Sequence, residues 1–309
     1  MISLSGLNGC LMKCRNTIIT KEAKIASGTE HIIKNMIFRT ALKGLDPAAI
    51  LHPQDKSTMD TLRKIPGFKT AVDKTVVNIM EKYATIEYTA DGININQQSL
   101  PMVYLQLREA CRILDIKKVP DCSTDWDYDV CAFTVGEQRP RIILQSGTVD
   151  LLNNDEMFFM LGHELGHIKC GHKTYHMFTE AMYMPVANSD LSIWMSLVKM
   201  PLLNWYRVSD FSADRMGLLC CQDINVALNT MIKMSGLPKK CYDRIDIKSF
   251  IQQAVEFNEK YSGTMDNIIK YLSINTAARP WLVVRAGELY NWYHSGEYSK
   301  IINKCKLNK

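Results

Sequence analysis

Apolar positions along this chain follow two rhythms: a helical one that dominates, and a strand-like one confined to a middle stretch. Residues 57–64 read as a short helix stopping before Pro66-Gly67, and 69–83 as a longer one. Residues 84–89 are rich in β-branched and aromatic side chains and predict a strand. Met102, Leu105, Leu107, Ala110 and Leu114 then mark one face of a helix over 98–114. Two more strands are predicted at 129–135 and 141–145, joined by Gly136-Glu137-Gln138-Arg139-Pro140, a loop of hairpin character. From Asp155 onward the pattern is almost wholly helical. Asn153 or Asn154 can cap a helix whose first turn carries Asp155 and Glu156, and Gly171 can end it just past Cys170. A second strong helix spans 203–221, and more follow through Tyr293, the last long one over 279–294. The predicted fold class is α+β, mainly helical, with a small mixed sheet embedded in many helices. Residues 1–67 are expected to form an N-terminal helical extension packed on a main domain of 68–309.

The most apolar stretch, 177–206, is interrupted by Asn188, Ser189, Asp190, Lys199 and Pro201. No run reaches the ~18 residues of a spanning helix, so two helices over a core are expected. Peripheral membrane contact is the remaining reading of that stretch. The charge, 37 basic against 32 acidic residues, is +5 with no basic tract, which argues against nucleic acid as a partner. Ten cysteines in 309 residues is far below the roughly 8–10% of a disulfide scaffold, and none is arranged as Cys-x-x-Cys. Scattered thiols, with no signal-peptide pattern at the N-terminus, point to a reducing compartment and a cytoplasmic location.

Candidate chemistry concentrates in His163-Glu164-Leu165-Gly166-His167. On a helix the two imidazoles share a face, a half-site for zinc, and the glutamate between them can reach a water on the metal. A catalytic zinc needs a third protein ligand and leaves a position open. His172, His176, Glu180, Asp190, Asp210 and Asp214 are the downstream candidates. Asp210 and Asp214 lie four apart on one helix, so one carboxylate can bind metal while the other accepts the free N–H of a ligand imidazole. Alone, that pair would read as a solvated face beside Arg207 or Arg215; beside the histidine pair it reads as ligation.

Residues 162–167, Gly-His-Glu-Leu-Gly-His, and 207–219, Arg-Val-Ser-Asp-Phe-Ser-Ala-Asp-Arg-Met-Gly-Leu-Leu, together resemble the M48 zinc metallopeptidases. That family includes the CAAX prenyl proteases and the HtpX-type heat-shock proteases. The resemblance takes in Cys131-Ala132-Phe133-Thr134-Val135-Gly136 and Arg279-Pro280, and covers roughly residues 85–295. It implies a zincin-like (gluzincin) fold with one zinc per chain on His163, His167 and Asp210. It further implies Glu164 as general base and Asp214 as the carboxylate behind a ligand. Cys131, Ala132, Phe133 and Arg279 fall where the family steadies substrate and oxyanion. Three positions depart from the family's habit: Asp210 replaces a glutamate, Cys131 an asparagine and Arg279 a histidine.

The function expected is a zinc-dependent endopeptidase. Glu164 takes the proton of the metal-bound water, and the 129–135 strand binds an extended peptide or protein substrate by strand addition. The alternative is a zinc-containing peptide-binding protein with little turnover. Elsewhere bland readings are expected. Cys170 is a small buried residue, His31, His52 and His294 are exposed, and Trp281, Trp292 and Tyr293 pack in the core. The seventeen methionines fill core gaps.

Overall fold

The computed structural model describes residues 39–75, 80–181, 192–261, 263 and 281–307. His31, Asp190 and Arg279 lie outside these. The chain divides into two compact units, Met1–Arg39 and Thr40–Lys309, and the elements described belong to the second.

The first helix, α1 (Pro53–Arg63), starts with proline where no N–H is needed, and the His52 side chain caps it by accepting from the Gln54 N–H. His52 is therefore buried, against expectation. Its own N–H donates to Ser212 Oγ at 2.9 Å, and its ring packs edge-on to Phe211. Helices α2 (Phe68–Thr75), α3 (Glu81–Ala90) and α4 (Pro101–Ile113) follow. Helix α3 corrects the strand expected at 84–89. Ala84 alone of that stretch is buried, Ile86 is exposed, and Thr85 Oγ1 donates back to the Glu81 carbonyl one turn earlier. Its Tyr88 packs on Phe133, so the aromatic spacing serves a helix lying beside the sheet.

The sheet has three strands, β1 (Asp121–Asp125), β2 (Ala132–Val135) and β3 (Arg141–Gln145), in the order β1-β3-β2. β3 pairs parallel with β1 (Ser123 opposite Ile143) and antiparallel with β2 (Phe133 opposite Ile143), so the sheet is mixed. β1 went unpredicted because Asp-Cys-Ser-Thr-Asp has almost no apolar signature, yet Cys122 and Ser123 are buried. The 136–140 loop turns at Gly136, whose φ of +83° favours glycine.

Helices α5 (Ser146–Leu151), α6 (Asn154–Lys169), α7 (Lys173–Ala181) and α8 (Ser192–Cys221) carry the chain past the sheet. Helices α9 (Ile224–Met234), α10 (Ile247–Lys260), α11 (Leu282–His294) and α12 (Glu297–Leu307) complete the described part. Helix α6 opens with a capping box: Asn153 accepts from the Asp155 and Glu156 N–H groups, and Glu156 accepts from the Asn153 N–H. Helix α8 runs through Pro201. It meets α6 at backbone distance. A Cβ on Gly162 would lie 2.4 Å from Cys220 Cβ, one on Gly166 2.7 Å from Met216 Cβ, and one on Gly217 2.8 Å from the Phe159 ring. Phe68, Phe178 and Trp205 are fully buried in a cluster joining α1, α2, α7 and α8. The fold is α+β and mainly helical, as the pattern predicts. Trp292 is core, whereas Trp281 is 37% exposed at the start of α11. Among the described residues, no helix is long and apolar enough to cross a membrane.

Candidate metal centre and active site

His163 and His167 project from the same face of α6, with their Nε2 atoms 3.2 Å apart and both rings buried. Asp210 reaches the pair from α8, with Oδ1 3.3 Å from His167 Nε2. One donor atom from each of the three falls within 4.8 Å of the others. Glu164, Thr134, Lys173 and Arg285 line the same pocket. A buried set of two imidazoles and one carboxylate is the donor chemistry zinc takes, so these residues fit the metal that the histidine spacing implies.

Behind each imidazole stands a different support. His163 Nδ1 is 2.9 Å from Asp214 Oδ1, and Arg285 clamps that carboxylate with two hydrogen bonds, Nε to Oδ2 at 2.8 Å and Nη2 to Oδ1 at 2.6 Å. Burial alone would raise the Asp214 pKa, but the Arg285 charge and hydrogen bonds, with His163, hold it below its ordinary value. Burial likewise opposes the Arg285 charge, and Asp214 and Asp210 outweigh it, keeping the guanidinium above its usual range. Arg285 Nη1 also sits 3.4 Å from Asp210 Oδ2, so one cation serves both carboxylates. His167 Nδ1 instead faces another imidazole, His172 Nδ1, at 3.0 Å. Burial, reinforced by the Lys173 charge and the neighbouring histidines, pushes the His167 pKa well below its ordinary value, so its ring is neutral.

Glu164 accepts a hydrogen bond from Thr134 Oγ1 at 2.7 Å and lies 3.8 Å from Lys173 Nζ. Lys173 is 3% exposed. Desolvation lowers its pKa, opposed by the charges of Glu164, Glu180 and Asp210. Neither contact was found from sequence. Thr134 lies in the motif-bearing strand, and alternation puts it on one face with Ala132, but its partner is set by tertiary folding. Lys173 follows His172 with no distinguishing pattern.

The predicted site residues separate into three groups. His163, Glu164, His167, Asp210 and Asp214 come together. Ala132 and Phe133 line the same pocket, on the β2 edge. Cys131 faces an adjacent cavity of about 430 Å³ instead, and its N–H donates to Thr148 Oγ1 at 2.6 Å. Cys170 is half-buried beside Asp55 and His172, away from the three converging donors. His176 packs against His167, with its Nε2 2.9 Å from Ser209 Oγ.

The family model of peptidase family M48 matches residues 106–292, more than half of the chain and the whole of this donor set. The chain belongs to peptidase family M48. It is 26% identical over 270 residues to the plastoglobule-localized metallopeptidase 48, chloroplastic, of Arabidopsis thaliana, covering 85% of this chain and 77% of that protein. No solved structure matches the chain. M48 membership makes this a protease of the zinc-dependent type with a metal cofactor, and its helical body around a small mixed sheet is the zincin-like fold. Asp55 and its helix α1 lie outside the matched residues.

Proposed function

We propose that the chain is a zinc endopeptidase holding one zinc on His163, His167 and Asp210. The observation that carries this reading is the convergence of those three buried donors beside Glu164 in one pocket. What zinc supplies in such a site is Lewis acidity, which lowers the pKa of water from ~16 to ~7 and polarises a carbonyl. Glu164 is the general base. It accepts the water proton at a carboxylate oxygen and passes it to the leaving amine. Thr134, donating to Oε2, orients that carboxylate, and Lys173 places a positive charge beside it. Asp214 accepts from His163 Nδ1, which turns the Nε2 lone pair toward the pocket. An extended peptide or protein substrate adds along the edge strand β2, held by main-chain hydrogen bonds next to Ala132 and Phe133. A cytoplasmic location draws on the thiols alone: none of the eight described cysteines is in a disulfide.

The deciding variant is Glu164→Gln. It is expected to keep about one zinc per chain by plasma mass spectrometry and to lose more than ~10²-fold in peptide-library cleavage. Cleavage at the wild-type rate would remove Glu164 from the role of base. A second reading, a zinc-bearing peptide binder with little turnover, draws on Cys131, which faces away from the pocket where the family places a substrate-steadying residue. It expects peptide affinity without any product in the same digest.

A further inference from the structure

His172 and Asp55 have no part in the reading above, yet both are buried directly behind the metal pocket. His172 follows Gly171, whose φ of +72° turns the chain back after α6, and this brings its Nδ1 to 3.0 Å from His167 Nδ1. Its other nitrogen, Nε2, is sealed from solvent, makes no well-formed hydrogen bond, and lies 3.1 Å from Asp55 Oδ2. Asp55 in turn is pinned from α8, accepting from Trp205 Nε1 at 2.8 Å and Ser212 Oγ at 2.5 Å. A carboxylate beside a buried ring nitrogen favours a proton there, because a lone pair facing an anion is repelled. His172 therefore carries its proton on Nε2 and offers a lone pair at Nδ1. Two Nδ1 atoms at 3.0 Å need one proton between them, so His167 donates from Nδ1. Its Nε2 is then left unprotonated on the side of His163 and Asp210.

We infer that Asp55 and His172 are positioning residues for the candidate metal site, fixing the His167 tautomer through two linked contacts. This rests on the zinc reading above and extends it to α1, in the stretch before the residues matched by the family. Asp214 does the same for His163 in one step, so both ligand rings are held by a carboxylate, one directly and one through an intervening imidazole. The same ring cluster offers a competing arrangement, because His167, His172 and His176 also bring donor atoms within 4.8 Å of one another.

The test uses the full-length protein and reads zinc affinity by chelator competition, with circular dichroism to confirm folding. His172→Phe, which removes the acceptor, and Asp55→Ala are each expected to weaken zinc ~10–100-fold. His172→Asn, whose amide oxygen can stand where Nδ1 accepts, is expected to recover most of that loss. The double variant is expected to be no worse than His172→Phe alone, as for two members of one chain. Should the variants fold poorly, imidazole ¹⁵N NMR of the zinc-loaded wild type decides instead, expecting His172 protonated at Nε2 and His167 at Nδ1. Wild-type zinc affinity in folded His172→Phe and Asp55→Ala would overturn the inference and leave the zinc site standing. A second zinc per chain that disappears in His172→Phe would overturn it in favour of the three-histidine arrangement. Absence of zinc from wild type offered the metal would overturn the underlying reading and this inference with it.

Discussion

The two histidines of the proposed zinc site share a helix, but their surroundings differ in kind. Behind His163 lies a closed ionic clamp, Asp214 gripped by Arg285 in a bidentate pair. Behind His167 lies a run of neutral donors, His172, Trp205 and Ser212, gathered around one carboxylate, Asp55. The clamp joins three elements, α6, α8 and α11, within the stretch that carries the family pattern. The other support recruits α1, outside that stretch. A buried ion pair is costly to break because the surviving charge is left without its partner, whereas a carboxylate ringed by neutral donors leaves only unpaired dipoles behind.

The largest expected effect breaks the clamp. Asp214→Ala strands Arg285, 2% exposed, with only the more distant Asp210, and should cost about 3–5 kcal/mol in urea denaturation. Asp55→Ala should cost about 1–3 kcal/mol in the same measurement. Equal costs would erase the distinction between ionic and neutral support. Next comes the spacing between α6 and α8, on which both supports depend. Gly166→Ala drives a methyl to 2.7 Å from Met216 Cβ and 3.1 Å from Ala213 Cα, and should cost about 1–3 kcal/mol. It should also weaken zinc binding, since Asp210 rides on the displaced helix. Unchanged stability would mean that the helices separate freely.

The smallest effect is a pH dependence confined to one side. Burial works to raise the Asp55 pKa, but the close His172 ring nitrogen and the hydrogen bonds from Ser212 and Trp205 prevail, so the folded value lies below the ordinary 3.8. A carboxyl depressed on folding contributes stability that is complete above 3.8 and lost as pH falls through the folded value. Urea midpoints from neutral pH downward should therefore show an Asp55 component only below about pH 4. Asp55→Asn should lack it, and an identical acid limb in that variant would assign the loss to other groups.

What was legible in the sequence follows the reach of each interaction. His163, Glu164 and His167 lie within five residues on one helix, so their shared face follows from helical geometry alone. Asp210 and Asp214 were legible as a pair because they too sit four apart, and the resemblance told which of them faces the metal. Arg285 lay within the resemblance, but its grip on Asp214 spans 71 positions, and no local spacing encodes that. Asp55 lies outside every motif, and His172, five residues past His167, was legible only as a candidate third ligand, not as a partner of the His167 ring. His52, alone in the sequence, becomes buried only because its capping position lies under α8. The fold shows the same limit. The capping box of α6 was legible residue by residue. β1 was not, because its burial comes from pairing with β3 rather than from apolar side chains.

The edge strand β2 is four residues long. An exposed strand edge is a template that does not choose between a substrate and another copy of the same protein, and chains that carry long edges risk zipping together into aggregates. Shortness is one of the ordinary defences. For the proposed strand addition, four residues offer a peptide only a few main-chain bonds, which leaves selection to the side chains beside the strand. The same brevity limits what an edge-to-edge pairing of two copies would gain.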